Sequence, residues 1–327
     1  MIRFFANARY DFIGLRKWAY LLSGAFVVPG LLLVLVTGVT YSIEFTGGAL
    51  IQIETARPVG IGDLRTALVR GGLEGAQIQS FGSARAYVIR ARLADENLDT
   101  GVEAVAQAVR TALDAGLGAD RYAVVRTEAV GPKVGRELQQ KALIAILFSF
   151  VTTLIYLAIR FEWRFGLAAV LATAHDILAT IAVIRYLNLE ISLVVVAAVL
   201  TVLGYSLNDT IVIFDRVREN LRSYRRQTLG RVLDVSINET LPRTVLTGST
   251  ALVMTVTLAV FAGEVIRPFA LVLCFGIAVG TFSSIFIASP VLLAMEQRWP
   301  GTDARGARLL VEERGAEPPP TPSPARA

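Results

Sequence analysis

Asn208 and Asp209 stand inside an apolar run that starts near Ile191 and continues through Ile211 to Phe214. The run is long enough to cross a bilayer as a helix. An isolated carboxylate at that depth costs about 3 kcal/mol or more. Asp209 must therefore be protonated, paired or turned toward a wet cavity. A charge of opposite sign leads into the next apolar run, in Asn238-Glu239-Thr240-Leu241-Pro242-Arg243-Thr244. Pro242 suits the first turn of a helix. If the two helices lie antiparallel, Arg243 reaches the depth of Asp209, and an Asp–Arg pair would offset the cost of both charges. Thr247 and Thr250 share the face of Arg243 at i+4 and i+7 and offer hydroxyls to water or to a proton chain.

A second polar patch, His175-Asp176, lies about halfway along another apolar run, with Thr173 and Thr180 on the face of Asp176. Two titratable residues near a membrane midplane are unusual. Plainer readings stand beside these. Asp209, Asp176 and His175 could each be an interhelical hydrogen-bond partner that never changes protonation. Arg243 could be a boundary anchor that snorkels to the headgroups.

The elements that must position these residues are apolar helices. The chain has 327 residues, 54% of them hydrophobic, with a mean hydropathy of +0.56, which excludes an ordinary soluble domain. Six spans fit the pattern: 18–41, 142–159, 165–184, 191–214, 245–262 and 269–295. Gly276 and Gly280 in the last have the G-x-x-x-G spacing of close helix packing, with Ser283 and Ser284 following. Residues 215–244 read as a basic loop. Its arginines, with Arg160 and Arg164 after the second span, place both termini in the cytoplasm by the positive-inside rule. The arginines between spans suit anionic lipid and give no reason to invoke nucleic acid. Residues 301–327, rich in proline, read as a disordered tail.

Residues 42–141 then lie outside the membrane. They read as strand, helix, two strands, helix, strand (49–55, 61–71, 76–81, 86–92, 98–117, 121–127), the β-α-β-β-α-β split motif of a ferredoxin-like domain. Phe45-Thr46-Gly47-Gly48 joins the first span to this domain, and paired glycines permit backbone angles that other residues avoid. On the sequence alone a plain membrane-to-domain linker is the preferred reading of the motif.

A lone cysteine, Cys274, excludes an internal disulfide,. The chain holds no P-loop, no H-E-x-x-H and no G-x-S-x-G, so no ATP hydrolysis or other enzyme activity is expected. An ion gradient is the only energy source the residues suggest. H+ is favoured over a metal ion such as Na+, which would want more oxygen ligands.

These pieces together resemble the SecF family of the bacterial SecD–SecF protein-export complex, within the resistance-nodulation-division superfamily. The resemblance rests on Phe45-Thr46-Gly47-Gly48, Val130-Gly131-Pro132, His175-Asp176, the stretch from Gly204 to Arg216, and Asn238 to Thr244 with its Pro242. It implies a partner, SecD, and a proton-driven role beside SecYEG, YajC and the SecA-driven preprotein in the inner membrane, without a cofactor. It also implies a proton path through Asp209, Arg243 and Thr247, to which Asn208, Asp176 and His175 are added as candidates. Two rival readings are a half-unit of a small-molecule exporter of the same superfamily and a non-transporting scaffold that stabilises the export channel.

Overall fold

The first apolar run folds as α1 (Arg16–Thr37) and ends at Gly38, whose φ of 72° only glycine adopts readily,. The structure, a computed structural model, describes residues 9–74, 76–91, 102–224 and 227–299. The expected tail, residues 98–101 of the expected helix and the basic pair Arg225 and Arg226 lie outside these residues.

After α1 the chain makes a short helix, α2 (Ile43–Thr46), and enters the sheet domain. This domain comprises β1 (Gly48–Thr55), α3 (Ile61–Arg70), β2 (Gln77–Phe81), β3 (Ser83–Ala91), α4 (Val102–Leu117) and β4 (Tyr122–Val130). All pairings are antiparallel and the order is β2-β3-β1-β4, as the split motif requires. Period-2 alternation along β1 sends Ala49, Ile51 and Ile53 to one face, where they meet Leu64, Leu68, Val109 and Leu113 of the two helices,.

The remaining spans are α5 (Pro132–Arg160), α6 (Trp163–Tyr186), α7 (Leu193–Ser223), α8 (Leu229–Phe261) and a last span split into α9 (Gly263–Ser283), a π-helical turn (Ser284–Ala288) and α10 (Ser289–Arg298). Six helices are therefore long and apolar enough to cross a membrane. Membrane-length windows of α6, α7 and the last span are 56% buried, against 17% for α1 and α8 and 6% for α5. The first three form the centre, and the others turn apolar faces outward, as lipid or a partner subunit would require.

Two expectations need correction. The segment expected to be a basic loop at 215–244 is mostly helix: α7 runs on to Ser223, and α8 starts at Leu229 behind Thr228, whose hydroxyl caps Arg231 N. Polarity here reflects helices that outrun the apolar layer, cross-linked by Arg216–Glu239 at 2.7 Å and Asn220–Ser236 at 3.0 Å. Pro242 consequently sits inside α8 and not in its first turn. Its missing N–H frees the carbonyl four residues earlier, a defect that membrane helices tolerate when neighbours satisfy it.

Candidate functional site

α7 and α8 form a hairpin. Asp209 lies fifteen residues before Tyr224, and Arg243 lies fifteen after Thr228. Both are thus about 22 Å from the turn at 1.5 Å per residue. The matching depth expected from the sequence is present.

The direct ion pair is not. Asp209 is 3% exposed and accepts a long hydrogen bond, 3.5 Å, from the Thr281 hydroxyl of α9. Arg243 is exposed, near enough for its charge to act on Asp209 but without contact. The buried stripe of α8 runs through Ile237, Leu241, Thr244 and Gly248, and Arg243 lies to one side of it. Helix rotation, which no depth argument fixes, keeps the two groups apart.

Two further hydroxyls, those of Tyr205 and Thr247, lie near this place. A Cβ on Gly248 would stand 3.4 Å from Thr281 Oγ1 and 3.8 Å from the Tyr205 hydroxyl, so both converge over that glycine. Tyr205 has Thr247 beside it but makes no bond of good geometry. The buried Thr244 hydroxyl also lacks a partner among the described residues. Thr247 itself donates back to the Arg243 carbonyl at 2.9 Å. Buried polar atoms left unpaired are uncommon in a folded protein and concentrate where function needs them.

His175 and Asp176 form a separate node. Asp176 is wholly buried. Its Oδ1 meets His175 Nδ1 at 2.9 Å, and its Oδ2 accepts from Ser283 at 2.7 Å and also from Ser206. His175 Nε2 reaches Ser23 of α1 at 2.5 Å. One carboxylate thereby links α6 to α7 and α9, and through His175 to α1. Gly276 and Gly280 allow this closeness: a Cβ on Gly276 would collide with Val202, and one on Gly280 would lie 2.9 Å from Ser206 Cβ. Asn208 is exposed and belongs to neither node. A Cβ on Gly204 would meet nothing within 4 Å.

At the sheet end, Gly47 (φ 72°) and Gly48 (φ 124°) hold left-handed angles, as paired glycines suggested. Phe45 is buried, and the Thr46 hydroxyl bonds the Ser42 carbonyl. The motif is more than a linker. Its Phe45 carbonyl abuts Gly135 of α5, and its neighbour Glu44 accepts from Leu193 N, the first residue of α7, at 2.6 Å.

Residues 111–298 match the family described as "Protein export membrane protein SecD/SecF, C-terminal", and residues 33–59 match "SecD/SecF GG Motif". Among relatives, the protein translocase subunit SecF of Gemmatimonas aurantiaca is 52% identical over 93% of this chain and 92% of its own. That of Escherichia coli O157:H7 is 35% identical over 95% and 94%. The crystal structure of SecDF, a translocon-associated membrane protein from Thermus thermophilus, superposes with a TM-score of 0.79 at 34% identity, covering 89% of this chain. This chain spans only 39% of that longer one. The split-motif domain, the GG element and the six spans agree with these matches, and the chain belongs to the SecF family of protein-export membrane proteins.

Proposed function

We propose that Asp209 exchanges a proton in an ion-driven cycle that moves the sheet domain against the spans and so assists export of secretory polypeptides. The observation that carries this reading is a carboxylate buried at membrane depth, with one long hydroxyl contact and a guanidinium at its own level that does not touch it. Such a carboxylate has two stable settings. Ionised, it draws Arg243 inward, because an unpaired charge in a dry site is costly. Protonated, it releases Arg243 and rests on Thr281. A charge pair that opens and closes with one proton is a bistable element of the kind that drives helix repacking. Thr247 and Tyr205 supply hydroxyls along the way.

The coupling ion is H+ and not Na+, since the groups at hand titrate and the oxygen ligands are few. SecD covers the exposed polar face of Asn208, Arg243 and Thr250, which lipid would not solvate,, and supplies further carboxylates. The unit works beside SecYEG, SecA and YajC in the bacterial inner membrane, with both termini cytoplasmic and the basic ends of the helices near anionic lipid.

The test is preprotein export by inside-out vesicles carrying the full complex, with the proton and sodium gradients varied independently. Asp209→Asn should assemble normally and abolish the response to the proton gradient. Full proton-dependent export by that variant overturns the reading.

A further inference from the structure

The second buried carboxylate has no part in the cycle just described, yet its partners sit next to those of Asp209. Ser206 is one helical turn before Asp209 on α7. Ser283 is two residues beyond Thr281 on α9. Asp176 holds both hydroxyls on the same oxygen. We infer that Asp176 is a positioning residue: by gripping Ser206 and Ser283 together it fixes the register of α7 against α9 that places Thr281 on Asp209.

Three observations carry this. The first is engagement. One Asp176 oxygen meets His175, the other holds Ser206 and Ser283, and the side chain is 1% exposed, so its contacts are with protein groups that it can hold in place. The second is the surface being gripped. The Val202 side chain fills the space beside Gly276, and Gly280 closes on Ser206 itself, so small residues bring α7 and α9 together at the very residue that Asp176 holds. The third is location. Ser283 is the last residue of α9, and the π-helical turn Ser284–Ala288 follows at once. A π-turn changes the register of everything beyond it. Asp176 grips the final α-helical turn before that change, while His175 and Ser23 tie the same node to α1.

The inference rests on the reading of Asp209 as the proton-exchanging group. Among the described residues, the charged and titratable groups around Asp209 are Tyr205 on its own helix, Arg243 on α8 and, through Ser206, the His175–Asp176 pair on α6; from α9 comes the uncharged hydroxyl of Thr281. Displacing Thr281 therefore changes the proton affinity of Asp209 without removing any charge from its side.

The experiment measures proton-gradient-dependent export against pH in vesicles with the full complex, for wild type, Asp176→Asn, the Ser206→Ala/Ser283→Ala pair, all three changes together, and Asp209→Asn. Asp176→Asn and the serine pair should keep gradient-dependent export but move the midpoint of the pH profile in the same direction by at least about half a unit, a threefold change in proton affinity. The triple variant should move it no further, because all three changes break one node. Two results overturn the inference. If Asp176→Asn abolishes the gradient response at normal abundance, it is itself a proton carrier. If export falls only in proportion to abundance, with the midpoint unmoved, its role is merely structural. Asp209→Asn separates the two levels: a variant there that still responds to the gradient overturns the Asp209 reading itself, whatever Asp176→Asn does.

Discussion

Among the described residues Asp209 has one direct donor, Thr281, and that donor is separable from the nearby charge. Thr281→Val keeps the volume but removes the hydroxyl, leaving a buried acceptor unsatisfied at a cost of about 1–3 kcal/mol. Thermal unfolding of the purified complex should register this loss. Arg243→Gln should behave oppositely. The guanidinium is exposed and contacts no carboxylate among the described residues, so its removal should change stability by no more than about 0.5 kcal/mol, while gradient-driven export falls at least about tenfold. Equal stability losses for the two variants would contradict this division of roles. Asp209 and Arg243 were both legible in the sequence, because a charge inside an apolar run is conspicuous without any structure. Thr281 and Ser23 were not. Hydroxyls in membrane helices commonly bond their own backbone a turn earlier, as Thr201, Thr247, Thr250 and Thr257 do here. Only packing reveals which hydroxyl turns to a carboxylate instead. The unformed Asp209–Arg243 pair has the same origin: residue counting gives depth, but the buried stripe of α8 sets rotation.

Among the elements, the glycine pair shows what a motif can and cannot disclose. Two adjacent glycines announce unusual backbone angles, and both are present. Their neighbour across the gap, Gly135, announced nothing, since a single glycine near a helix start has many uses. A Cβ there would lie 2.9 Å from the Phe45 carbonyl and 3.0 Å from Gly47 N. Backbone atoms on both sides cannot yield cheaply, so Gly135→Ala should destabilise the complex by about 1–3 kcal/mol. Gly131→Ala, four residues earlier, is the control. Its φ is −68° and nothing lies within 4 Å of the new methyl, so it should be neutral or slightly stabilising. Comparable losses at both positions, followed by thermal unfolding, would show that α2 does not seat on α5 as described. The polar stretch 215–244 misled for a different reason. Charged residues in sequence look alike whether they form a loop or the ends of two long helices, and the cross-helix contacts of Arg216 and Asn220 decide between them.

At the scale of the molecule, the sheet domain and the spans are tied at the turn between α6 and α7. Backbone bonds join Ile191 to Thr40 and Ser42, Glu44 accepts from the start of α7, and Arg90 of β3 reaches Glu190 at 2.8 Å. The turn that leads into α7, the helix of Asp209, is thus joined to the sheet domain by these contacts. The ion pair is the one that can be tested by pH. Burial pushes the Glu190 carboxyl above its ordinary value, and the Arg90 guanidinium pulls it back only in part. A raised folded-state value means that the favourable contribution is complete below the unfolded-state value and declines as pH rises through the folded one. Arg90→Gln removes the counter-charge, raises the Glu190 value further and enlarges the neutral-pH penalty of ionising it. The loss of stability in Arg90→Gln should therefore be greater at about pH 8 than at about pH 5, and Arg90→Gln/Glu190→Gln should abolish that difference. Thermal unfolding of the wild type, Arg90→Gln, Glu190→Gln and the double variant at both pH values decides the matter. If Arg90→Gln loses the same stability at each pH, Glu190 does not respond to Arg90. The tie at this turn would then be carried by the backbone contacts and Glu44.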